Sequence, residues 1–295
     1  MRGRKLEFDG NPDKALASYL LVVRLGNHVS CGPFLIDDLV AISCNVTGLK
    51  AIEGCILRNE LDERTLADVQ ERLHAFSTRR PRFSSAMKNE RAYTEHEIEY
   101  TVRDPGWFMG GEEAWQGELE KYSMTPDEWR DMMRGDVAVY WEVAEDFFRM
   151  PLPELLAAEA DDKLKELVNA GKGERPLNMM SLLGSTLARA GVEFGKGDLY
   201  WTMVDVELAL ARCKLRHGRY PDKVEEVKDL MLSDGLDPFS GQPLHYRLED
   251  DGSFTVWSVG LNLTDDGGDV PDTHNPWQGD DYVWNSRLIG ADPGK

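Results

Sequence analysis

An α+β fold is the class this sequence predicts, and three observations carry it. Helical periodicity dominates from residue 13 to about residue 190. One stretch, 198–217, is apolar on two opposite sides. Beyond Gly218 the period changes from that of a helix to the two-residue alternation of strands.

The elements follow in order. Residues 13 to about 57 read as helix, broken near Gly32-Pro33, where proline removes a donor and glycine relaxes the backbone. Leu35, Leu39, Ile42 and Val46 recur at helical spacing, which predicts one buried face. Asp62 or Thr65 is positioned to cap "ERTLADVQERLHAF", which the Arg79-Arg80-Pro81 turn closes. A polar helix is expected over 89–102, and a loop over 103–117 from its glycines and proline. Thr125-Pro126 then supplies an N-cap and a first-turn proline for "DEWRDMMRGDVAVYWEVAEDFFRM". Shorter helical pieces are expected at 153–169 and 178–190, and no solenoid period repeats.

The helix at 198–217 is the most informative. Trp201, Val204, Leu208, Ala211 and Leu215 form one stripe; Met203, Val206, Leu210 and Cys213 form a second, nearly opposite. Asp205, Arg212 and Arg216 line one seam between them, Glu207 and Lys214 the other. Such a helix is expected to pack on two sides, helices against one and a sheet against the other. A short helix at 222–232 follows Pro221. "LHYRL" then alternates, with Leu244, Tyr246 and Leu248 on one face and His245 and Arg247 on the other. "SFTVWSV" also alternates, and Asp250-Asp251-Gly252 between the runs signals a hairpin. The expected division is a helical region at 1–190 and an α+β module at 191–295.

Composition narrows the function classes. The 295-residue chain is 41% hydrophobic, enough for a sizeable core, and carries a formal charge of −19. Such a surface disfavours nucleic-acid phosphates and anionic bilayers and favours cations. The four cysteines form no C-x-x-C pair, and Cys31, Cys44 and Cys55 read as small buried thiols. No run of eighteen apolar residues occurs; "ALASYLLVVRL" (15–25) is short and carries Arg24. The chain as given is therefore expected neither to span a membrane nor to open with an export signal.

The tail of the sequence carries a motif order. Gly218-Arg219-Tyr220-Pro221 ends the long helix, Asp237-Pro238 and Gly241 lead toward the strands, Ser258-Val259-Gly260 closes a strand, and Asp280-Asp281 precedes Trp284. In this order the segment 198–286 resembles the soluble C-terminal region of the type II secretion major pseudopilins. That resemblance implies a long helix packed on a small antiparallel sheet, and a calcium ion held in the loop after the S-x-G strand. By position the implied ligands are the carbonyls of Val259 and Thr264, Asn262, and Asp280 with Asp281; Asp265, Asp266 or Asp269 are further candidate acids. The chemistry is sensible in its own right. Residues 262–281 hold six Asp, three Gly and no Lys or Arg. Calcium takes roughly six to eight oxygens at flexible angles. The same composition also describes a solvated acidic loop that binds nothing. The N-terminal region, with "GPFLIDDLVAI", is similar to bacterial proteins that join this tail to a helical region, a likeness that brings no activity.

Enzyme motifs are sparse. None of the six histidines forms H-E-x-x-H, and Glu95, His96, Glu97 and Glu99 fan around a helix instead of converging. Ser181, Ser185 and Ser240 lack a nucleophile elbow, and no phosphate-cradling glycine loop occurs. Glu142 and Glu145 are helix neighbours that could share a metal or a proton, with ordinary surface acids as the other reading. His274 lies in the acidic loop, where exposed histidine is expected. Trp107, Phe108 and Trp115 are a candidate partner- or glycan-binding loop, while Trp129, Tyr140, Trp141, Phe147 and Phe148 read as core. The resulting expectation is a non-catalytic structural or interaction protein of a bacterial secretion or envelope system, periplasmic or envelope-associated, with other secretion or envelope proteins as partners. The rival expectation is an enzyme whose site lies around Glu142 and the Trp107 loop.

Overall fold

The structure, a computed structural model, describes residues 2–32, 34–105, 110–169, 179–270, 275–277 and 279–291, with the side chains of 179–186 and 188 left aside. The fold is α+β, mostly helical, with one small antiparallel sheet. In chain order the helices are α1 (Arg2–Phe8), α2 (Pro12–Val29), α3 (Leu35–Arg58), α4 (Glu63–Ser77), α5 (Phe83–Arg103), α6 (Glu112–Lys121), α7 (Pro126–Phe148), α8 (Leu152–Ala157), α9 (Ala160–Asn169) and α10 (Met179–His217). A 3-10 turn (Val224–Leu230) leads to β1 (His245–Leu248), β2 (Phe254–Ser258) and β3 (Tyr282–Asn285), and α11 (Ser286–Gly290) follows.

The chain divides into two compact units. One comprises residues 1–31, 39–81 and 194–295; the other comprises 32–38 and 82–193. This differs from a cut near residue 190, and side-chain bonds give the reason. Asp62 caps α4 by accepting the Thr65 N–H at 2.7 Å. Buried Gln70 of α4 then donates to the Asp205 carboxylate of α10 at 2.6 Å and accepts from Arg212 at 2.7 Å. Glu63 accepts from both Arg212 and Arg216. The acidic and basic seam on α10 is thus read by α4. The pieces expected at 178–190 and 198–217 are one continuous helix, α10.

Both stripes of α10 are buried: Trp201, Val204 and Leu208 on one, Met203, Val206, Leu210 and Cys213 on the other. Leu215 departs from its stripe and is half exposed, two residues before the helix ends. That end is set by Gly218, whose φ of +77° lets its N–H reach the Lys214 carbonyl at 2.7 Å. On the sheet side, Tyr200 packs edge-on against Trp284 of β3, with ring centroids 5.4 Å apart.

The sheet runs β1-β2-β3, pairing His245 with Trp257 and Val256 with Trp284. Tyr246, Leu248, Phe254, Val256, Tyr282 and Trp284 therefore share one face, and His245, Arg247, Thr255, Trp257 and Asn285 the other. The Gly218–Pro221 segment closes on the first face: Tyr220 meets Phe254 edge-on and the Tyr246 hydroxyl donates to the Pro221 carbonyl at 2.7 Å.

Within the second unit, α5 packs on α7 and α7 on α9. The Thr125 hydroxyl and Glu128 carboxylate close a capping box that starts α7. Its buried face carries Trp129, Met133, Val137, Tyr140 and Trp141. Three sequence expectations are corrected. The segment 103–117 is not loop throughout, since α6 begins at Glu112 and buries Trp115 against Trp129, centroids 4.8 Å apart. The deepest face of α3 is Ala41, Asn45, Leu49, Ile52 and Cys55, while Leu39, Ile42 and Val46 are half-buried. Cys31 is exposed, not buried. Among the described helices α3 alone is long and apolar enough to cross a membrane by length and composition, and half of that window is buried.

Candidate functional site

The C-terminal motifs meet around two carboxylates. Asp237, fully buried, opens the Asp-Pro turn and accepts four hydrogen bonds. Phe239 N–H (2.9 Å) and Ser240 Oγ (3.1 Å) come from its own turn; Ser258 Oγ (2.7 Å) and Val259 N–H (3.2 Å) come from the end of β2. The Asp-Pro and S-x-G motifs are therefore two halves of one junction. In the sequence they stand as separate landmarks.

Asp281 makes the second junction. It sits 5% exposed just before β3 and accepts the N–H groups of Asp266 (3.1 Å) and Gly268 (2.8 Å). Burial raises its pKa, Gly268 and Asp266 N–H bonds oppose that, and the charges of Asp265 and Asp266 add to the rise. Asp265 accepts from Trp257 Nε1 at 2.9 Å and Gly267 N–H at 3.0 Å and lies 3.4 Å from His245 Nδ1. Its pKa is lowered, first by the Trp257 bond. Arg247 donates to the carbonyls of Gly267 (2.9 Å) and Gly268 (3.3 Å), with its guanidinium 5.3 Å from the Trp257 ring centre. Residues 265–268 thus cover Trp257 on the outer face of the sheet, which explains why it is buried although it points away from α10.

The sequence-predicted ligands separate into groups. Asp265 and Asp266 lie near enough to Asp281 to act on it electrostatically. Asn262, exposed, donates to Asp266 Oδ2 at 2.7 Å and accepts from Thr264 N–H at 3.0 Å. Val259 is tied to Asp237 through its N–H. Asp280 is exposed, and its carbonyl lies against Gly260, where φ is +64° and an added Cβ would sit 2.2 Å from that oxygen. Asp269 is exposed. The residue types fit a hard cation. Their described orientation serves N–H donors, and among the described residues no three Asp, Glu, His or Cys side chains converge as a ready cage. His274 lies outside the described residues.

In the second unit, Glu142 is exposed, and Glu145 is paired with Arg91 and Arg149. The cavity beside it, about 160 Å³, is lined by Met87, Lys88, Trp141, Glu145, Phe148 and Arg149, a single carboxylate among them. Trp107 and Phe108 lie outside the described residues, as do the side chains of Ser181 and Ser185. The first unit has a cavity of about 220 Å³ between α4, α10 and residues 232–234. Two of its polar groups are engaged: Arg80 with Asp198 at 2.6 Å, and Asp205 with Gln70, Leu232 and Ser233.

No protein-family model, curated protein or solved structure matches the chain.

Proposed function

We propose that this is a non-catalytic structural or interaction protein related to the type II secretion pseudopilins, acting in the periplasm or envelope beside other secretion proteins. The observation that carries the reading is the Asp237 junction, because it knits together by hydrogen bonds two of the motifs on which the resemblance rests, Asp-Pro and S-x-G. A catalytic site needs reactive groups left free for a substrate; here the two buried carboxylates of the C-terminal motifs, Asp237 and Asp281, are engaged in holding the chain's own backbone. Residues 265–268 are latched onto the sheet by Asp281, Asp265 and Arg247.

Calcium enters this reading as a reinforcement of a loop that the chain already latches. Asp265, Asp266 and Asp281 are the side chains that would hold it, and its charge would relieve their mutual repulsion. An ion that binds only the folded form raises stability by mass action. Thermal unfolding in calcium and in chelator tests this. The expected result is a Tm raised by about 2–4 °C at a concentration some ten times Kd, and abolished in D265N/D266N. Coincident curves for the wild type would remove calcium from the reading and leave the hydrogen-bonded latch.

A further inference from the structure

Two glutamates that no motif singled out meet in the core of the first unit. Glu53 of α3 is 4% exposed and Glu207 of α10 is 1% exposed. Their carboxyl groups lie within hydrogen-bonding range of each other. Both oxygens of Glu207 and Oε1 of Glu53 have no other partner. A carboxylate only accepts, so two ionised groups at this distance would repel and form no bond. A buried, unpaired charge is among the costliest arrangements in a protein interior.

We propose that Glu53 and Glu207 share one proton, and that this proton is a pH-sensitive latch closing α3 onto α10. The bond forms when one carboxyl keeps its hydrogen and donates it to the other. Loss of that hydrogen to solvent leaves two like charges face to face.

The surroundings do not supply a substitute cation. From α3, Lys50 and Arg58 act on Glu53, but Lys50 Nζ lies 5.4 Å from the Tyr200 ring centre and Arg58 is bound by Glu7 of α1 at 3.1 Å. From α10 the neighbouring titratable group is Tyr200, and from the turn after it Tyr220; both are phenols held above their ordinary range, chiefly by burial. From β3 comes Trp284, which carries no charge and packs on Tyr200. Burial raises the affinity of both carboxyls for a proton, which at Glu53 is only partly offset, first by the bond from Glu207 and then by Lys50 and Arg58.

The sign follows from linkage. A carboxyl whose folded pKa is raised contributes stability that is complete below its unfolded value and lost as pH rises through the folded one. The bond and charge of Glu53 raise Glu207, so Glu207 keeps the shared hydrogen while Glu53, pushed up to about 7, ionises first; stability falls as pH rises through neutrality and falls further as Glu207 gives up its proton. Melting curves of the wild type and E207Q between about pH 5 and about pH 9 test this. In E207Q the introduced amide would donate to Glu53 without needing a shared proton. The wild-type Tm is expected to fall relative to E207Q by about 5–10 °C across that range. Parallel curves would overturn the proposal. Infrared spectra supply a second readout: a protonated-carboxyl band in the wild type near neutral pH, weakened in E207Q. If E207Q fails to fold, E53Q replaces it. If neither folds, the spectrum of glutamate-labelled wild type decides, since absence of any protonated glutamate near pH 7 would mean that a metal ion or water, not a proton, sits between the two groups.

Discussion

Asp237 and the Glu53–Glu207 pair are buried to the same degree in the same unit, yet they solve burial in opposite ways. Asp237 meets four donors from a turn and a strand end, and its charge is distributed over all of them. The glutamates meet each other. Depth alone therefore does not decide whether an acid is an anchor or a liability; the donors arranged around it do. One site behaves as a fixed bolt and the other depends on a proton taken from the solvent.

The sharpest way to break this contrast is D237A, which strands four donors at once, three of them buried. It is expected to cost about 3–5 kcal/mol, read as a loss of denaturation midpoint at unchanged slope. Replacing the other site by apolar residues of similar volume, E53L/E207M, is expected to act in the opposite direction. It should gain roughly 1–3 kcal/mol near pH 8, and less near pH 5, in the same denaturant assay. A loss at both pH values would show that the pair holds the helices together even when ionised. D281A comes next, at about 1–2 kcal/mol, with the effect confined to the latch; amide exchange at Asp266 and Gly268 should accelerate while Val256 stays protected. The smallest effect belongs to an exposed cap in the second unit. T125A should cost about 0.5–1 kcal/mol and leave the exchange of β2 unchanged.

Much of the fold was legible because it is local. The two stripes of α10, the Asp62 and Thr125 caps and the strand alternation around Asp250-Asp251-Gly252 all follow from periods and neighbours a few residues apart. What escaped was tertiary. Nothing near Glu53 indicates that it faces Glu207, and a seam position shared with Lys214 gives Glu207 no named partner. Trp115 was placed in a loop because Gly110 and Gly111 precede it, although they lie just outside the helix that buries it. The compact units depart from a cut near 190 for the same reason: α4 joins α10 through Gln70, a residue whose type announces no partner. Of the candidate site, residue types and region were readable, but the direction of each carboxylate was not. Asp265 turns to Trp257 and Asp281 to backbone N–H groups, choices made by the sheet beneath them.

The partners of Asp237 are neutral hydroxyl and amide groups, and none of them is a counter-ion. Dissolved ions have little to screen at so enclosed a junction, whereas exposed pairs such as Arg219–Asp222 fade within a Debye length. The tail's attachment should consequently hold equally in brine and in dilute buffer, while the helix surfaces around it gain and lose their ionic contacts.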